Sequence, residues 1–205
     1  MTIRIIISLI LLSTISFNST AASVLPLDIN QVNNQASRIF HGICISNETG
    51  FDEESGQTVT WSTFDIIENI KGPANEKNYV LKQIGGLDSE NGIVFEVHGI
   101  PKFTVGNEYV LFLYGKSKIG LSSPVGLQQG HFPVNHANGS VSNGRDPQEF
   151  FSNIPQSVAL PPAISDAANP KPTSTKQKGK PGFDNKAKSD VPLGEFLDLV
   201  RQLNQ

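Results

Sequence analysis

From residue 38 to residue 135 the apolar positions come in short runs separated by glycine, proline and acidic clusters, and the runs read as strands. The strongest lies in residues 93–114. Ile93, Phe95 and Val97 alternate with Val94, Glu96 and His98, which predicts a strand with one apolar face. Pro101 and the step Val105-Gly106-Asn107-Glu108 turn the chain. Tyr109, Leu111 and Leu113 against Val110, Phe112 and Tyr114 are then apolar on both parities, as in a central strand covered on both faces. The pattern predicts a hairpin whose second arm, residues 109–114, is the core strand.

The flanking pattern supplies the other elements. Asp28 with Gln31 three residues on forms a capping box, and Ile29, Val32 and Ala36 share a helical face, so a short helix precedes a strand at 38–46. Residues 47–57 hold Asp52-Glu53-Glu54 and two glycines with no apolar period, and read as an exposed hairpin loop. Residues 58–70 are β-branched and aromatic, ended by Lys71-Gly72-Pro73. A strand at 79–84 closes at Gly85-Gly86, and shorter strands are expected at 118–122 and 130–135. Strands at this spacing predict a mainly β fold: a small closed or partly open antiparallel barrel over residues 26–150. Residues 155–190 carry six prolines, six lysines from Lys171 to Lys188 and a single aromatic, Phe183, a composition that predicts a disordered linker. Residues 191–203 regain a helical stripe of Leu193, Phe196, Leu197, Val200 and Leu203, with Asp190 as N-cap, Pro192 in the first turn and Arg201 near the C-terminus. Such a helix is marginal alone and must dock, on its own barrel as the favoured expectation or in a groove on a separate protein as the alternative.

Composition adds a compartment. Arg4, the apolar run 5–15 and Thr20-Ala21-Ala22 read as a signal peptide over residues 1–22, cleaved near Ala22/Ser23 into a periplasmic or secreted chain. The run is short for a transmembrane span, so no stable membrane insertion is expected after cleavage. A single cysteine, Cys44, rules out an internal disulfide and fits a bacterial exported protein. Residues 23–155 hold 8 Lys+Arg against 14 Asp+Glu, net −6, which argues against nucleic acid as a partner.

Candidate chemistry is sparse. His41, His98, His131 and His136 show no HExxH or HxH spacing and read as scattered solvent-facing residues, so no metal site and no cofactor are expected. Cys44, in an apolar strand, reads as a small buried hydrophobe. No serine-hydrolase elbow is present, and Gly115-Lys116-Ser117 reads as a turn. Asp52-Glu53-Glu54 lacks the spacing of a calcium loop and reads as a solvated acidic loop. Trp61 reads as barrel core, with an exposed binding contact as the alternative.

Four signatures in order carry a resemblance: Phe64-x-Ile66-x-Glu68-x-x-Lys71-Gly72; Gly85-Gly86; Val97-x-Gly99-x-Pro101-x-Phe103-x-x-Gly106-x-Glu108-x-Val110-Leu111-Phe112-Leu113; and Val125-Gly126-Leu127-x-Gln129-Gly130-x-Phe132-x-Val134. Together they resemble a group of short exported bacterial proteins of unassigned function, often encoded beside secreted matrixin-like zinc peptidases. The layout is similar, more loosely, to netrin-like OB barrels, which include metalloprotease inhibitors. The tissue-inhibitor mechanism, an N-terminal cysteine on the catalytic zinc, does not carry over, because Ser23 begins the expected mature chain and Cys44 is internal. The barrel layout and the lack of a catalytic motif favour a non-enzymatic binding or accessory module, and the resemblance makes an exported zinc metallopeptidase the partner to test. The rival readings are an exported hydrolase with an unrecognised site and a structural component of the cell envelope.

Overall fold

A computed structural model describes residues 25–88, 92–169 and 190–205. The expected leader and residues 170–189 of the expected linker lie outside them. The fold is mainly β, an antiparallel sheet of seven strands with a few short helices.

The first helix, α1 (Ile29–Gln35), starts as its capping box requires: Gln31 N donates to Asp28 Oδ1 at 2.8 Å, and Asp28 N donates to Gln31 Oε1 at 3.0 Å. Ser37 N then donates to Leu113 O at 2.8 Å, handing the chain to β1 (Arg38–Asp52). β1 pairs along its length with β2 (Gln57–Lys71) and, over residues 38–43, with β6 (Glu108–Leu113) on its other side. Next come β3 (Asn78–Ile84), the small pair β4 (Gly86–Asp88) and β5 (Ile93–Phe95), and β7 (His131–Asn135), β8 (Ser140–Val141) and β9 (Val191–Pro192). The large sheet runs β3-β2-β1-β6-β7-β8-β9, and β4 and β5 form a second sheet of two.

The central strand is residues 108–113, as its double parity predicts. Val110 and Phe112 join a core with Ile39, Phe132 and the helices; Leu111, Leu113 and Tyr109 join a second core with Phe40, Phe64 and Leu81. The strand therefore separates two apolar layers, and all of Tyr109–Leu113 is buried.

The expected hairpin does not form. β5 pairs with β4 rather than with β6, and Val94 and Phe95 stay exposed. Both edges of β6 are already occupied, by β1 and by β7, so no edge is left for residues 93–97. The expected loop 47–57 shrinks to residues 53–56, since β1 continues to Asp52. Its outer half is held by the ladder to β2, which polar side chains do not impede.

The chain past residue 147 is also more ordered than its composition suggests. Two short helices follow β8, α2 (Pro147–Phe150) and α3 (Pro162–Ala168), and Ile164 of α3 is fully buried in the first core. The linker expectation therefore fails over residues 155–169: one well-placed isoleucine on a preformed core needs no apolar period around it. The last helix, α4 (Leu193–Gln202), begins two residues later than Asp190 would set it, because Val191 and Pro192 pair with β8. Asp190 instead accepts from Asn138 Nδ2 at 3.3 Å, and Pro192 is the N-cap. The helix docks on its own chain: Phe196, Leu197, Leu199 and Val200 are buried in the first core.

Candidate groove over the three-strand face

The inward parity of β3 runs Tyr79, Leu81, Gln83, and that of β2 runs Phe64, Ser62, Thr60. Toward one end of the sheet the second core thus changes from apolar to neutral polar. There the chain opens a groove of about 660 Å³, within the roughly 300–1,000 Å³ typical of ligand sites. Its floor is Asn47 and Thr49 of β1, Thr60 and Ser62 of β2 and Gln83 of β3. Thr49, Thr60 and Gln83 stand abreast across three strands, with Asn47 and Ser62 paired beside them.

The walls are residues 84–87 and the arm 94–103, and two floor side chains hold them. Thr60 Oγ1 donates to Gly85 O at 2.7 Å, and Asn47 Nδ2 donates to Phe103 O at 2.7 Å. Gly85 and Gly86 take φ of +104° and +148°, and a Cβ on Gly86 would sit 2.9 Å from Thr60 Oγ1. Only bare backbone lets β4 leave β3 this close to the floor. Glu96 and Lys102 are ion-paired with each other across the arm, both solvent-exposed. The wall's accessible apolar groups are Leu87, Val94, Phe95 and Val97, of which Val94 is 60% exposed.

Gln83 sets the groove apart. It is only 4% exposed, and its Nε2 is buried without a hydrogen-bond partner. An unsatisfied buried amide costs about 1–3 kcal/mol. Replacing it by leucine, Gln83→Leu, should therefore raise the melting temperature by roughly 3–6 °C. Scanning calorimetry checks this, and a fall would mean the amide is structurally satisfied.

The residues singled out from sequence are dispersed. Cys44 is buried, as expected; burial pushes its thiol pKa up, and Sγ lies 3.6 Å from Asn47 Oδ1. Two histidines are not solvent-facing. His41 is buried and its Nε2 contacts Glu108 Oε1, while His136 Nε2 approaches Glu108 Oε2 at 3.4 Å. His131 packs against the rings of Phe103 and Tyr109, centroids 5.4 and 5.3 Å away, and burial pushes its pKa down to about 4. His98 is exposed on the groove wall. Among the described residues no three His, Cys, Asp or Glu side chains converge to hold a metal ion.

The acidic triplet is exposed at Glu53 and Glu54, as expected of a solvated loop, but it is tied to β3 through Lys82. Asp52 and Glu54 each accept from Lys82 Nζ at 2.9 Å, and hydrogen bonds from Ser55 and then Lys82 hold the Asp52 carboxyl below its ordinary pKa. Trp61 faces away from the groove and is half-buried rather than core, since Thr60 and Ser62 on either side of it take the inward face. Gly115-Lys116-Ser117 belongs to a turn, as expected, with Ser117 N donating to Leu121 O at 2.8 Å. The strand expected at 118–122 does not form, because the turn runs on through residue 120 and leaves only an isolated bridge at Leu121.

Sequence reasoning passed over Gln83, Thr60 and Thr49. A signal was present in Gln83, a polar residue continuing the inward parity of Tyr79 and Leu81. No protein-family model, curated protein or solved structure matches the chain.

Proposed function

We propose that this chain is an exported, non-enzymatic binding module whose ligand seat is the groove over β1, β2 and β3. The observation that carries the reading is the buried, unpartnered Nε2 of Gln83 on the groove floor. Buried donors are normally paired, so an unpartnered one in the lining of a groove supports a ligand acceptor there. A binding role is favoured over a catalytic one by the floor's chemistry. It is built of neutral amides and hydroxyls, and two of these are engaged in holding the walls. The export half of the reading rests on Arg4 and the apolar run 5–15.

The sheet in this reading rolls into a partly open barrel of the OB type. Residues 121–124 support it. Ser122 N donates to Lys82 O of β3 and Tyr114 N, just past β6, donates to Ser123 O, both at 3.0 Å. The bridges Lys82↔Leu121, parallel, and Leu113↔Pro124, antiparallel, lie at the same place. In this reading the segment stands beside β3 and β6 as the fifth member of an OB-type barrel whose other four are β3, β2, β1 and β6.

The test is an isotope-labelled mature chain titrated with a panel of uncharged peptides, neutral oligosaccharides and short-chain amphiphiles. Saturable amide shifts at groove residues, weakened by Gln83→Leu, are expected from at least one class. Shifts from none would overturn the binding reading, and an intact Met1 on the native protein by mass spectrometry would overturn export.

A further inference from the structure

We infer that the groove takes an extended, uncharged peptide segment with aliphatic side chains. This rests on the groove being the ligand seat and adds the class of ligand. Gln83 Nε2 is a donor, so its partner is an acceptor, and the peptide carbonyl is the commonest neutral one. Thr49, Thr60 and Gln83 lie abreast on three strands, at the spacing of roughly 4.8 Å between neighbours that β-pairing sets. An extended chain crossing that row meets a polar group at each strand.

Charge excludes much else. Glu96 and Lys102 neutralise each other at the groove's rim. The floor carries no charge, so an ionic ligand would be desolvated without compensation.

The wall favours a peptide over a sugar. Leu87, Val94 and Val97 offer aliphatic surface, with Phe95 and the His98 imidazole the accessible rings among the described lining residues. Sugar rings are held by stacking on aromatic faces, whereas aliphatic walls complement Val, Leu or Ile side chains. Backbone geometry agrees. Among the described residues β5 pairs only with β4. No described residue pairs with its other edge, and an unpaired edge is a template for an added strand.

The experiment uses the labelled mature chain and a set of capped, uncharged peptides alternating aliphatic with Ser or Thr residues. Saturable shifts are expected at 85–87 and 94–97, with slowed amide exchange on the outer edge of β5. Gln83→Leu should weaken binding about tenfold, the equivalent of one hydrogen bond. Val94→Asp places a charge on an exposed wall position, so it should weaken binding at least as much while leaving the melting temperature unchanged. Peptide binding indifferent to both variants would place the peptide elsewhere and overturn the inference. If maltotriose or a short-chain amphiphile shifts the groove and no peptide does, the seat stands and the peptide inference falls. If no probe shifts it, both fall.

Discussion

Replacing Phe196 by alanine should lower the melting temperature of the chain by roughly 10 °C, taking about 3–5 kcal/mol for a buried Phe→Ala change and about 2–4 °C per kcal/mol at this size. Phe196 is fully buried, its ring 4.6 Å from that of Phe132 and 6.2 Å from that of Phe112. The void beside it is about 10 Å³, so the surrounding rings are already in contact and cannot cheaply close over a larger one. The same helix is also tied by Arg201, whose Nε and Nη2 donate to the two carboxylate oxygens of Glu68 at 2.7 and 2.8 Å. Both partners are about a third or more exposed, so Arg201→Ala should cost only about 0–1 kcal/mol. Thermal melts of the two variants side by side check the ranking. A Phe196→Ala protein that melts with the parent would show that the helix does not dock on its own core.

Acid should destabilise the protein between about pH 6.5 and pH 4, with His131 responsible for up to about 3 kcal/mol of the loss. The unfolded chain protonates this imidazole near pH 6.5, whereas burial beside Phe103 and Tyr109 delays protonation in the folded chain to about pH 4. Between those values the unfolded state binds more protons. Stability is therefore complete above the upper value and declines as pH falls toward the lower one. The carboxylates held low by their partners, Glu68 by Arg201 first and Asp52 by Ser55 first, act in the same direction but further into acid, below the ordinary range for their type. His131→Phe fills the site with a third ring. His131 Nε2 has no hydrogen-bond partner to lose, so the variant should flatten the slope above pH 4.5. Urea midpoints measured from pH 7.5 to 4.5 decide the matter. If the variant declines as steeply as the parent, the acid sensitivity originates elsewhere.

These two effects concern the frame. At Gln83 the groove floor works against stability, since an apolar residue there would leave no buried amide unpartnered. Under the proposed binding role that is the conflict between stability and function a ligand site imposes on a scaffold.

How much of this was legible from the chain differs by feature. The core strand was, because Tyr109–Leu113 is apolar on both parities and that pattern depends only on which faces are covered. So was α1, whose capping box is a local contact between Asp28 and Gln31. So was the buried stripe of α4, although Leu199, outside the stripe, is equally buried. The partner of each strand was not. Residues 93–97 alternate correctly for a strand, yet pairing is a competition for edges, and β1 and β7 had taken those of β6. Asn47–Asp52 has no apolar period and is still a strand, because ladder hydrogen bonds come from the backbone. Ile164 is buried within a proline-rich segment because the core it meets was assembled by distant residues. Lys82 is gripped by Asp52 and Glu54, about thirty residues away in the chain. The groove belongs to this second kind. Thr49, Thr60 and Gln83 are unremarkable one at a time, and become a site only when three strands set them abreast. Periodicity reports how a segment divides its side chains between faces, a local property; which backbone edges meet and which polar group is left without a partner are decided only when the chain is folded.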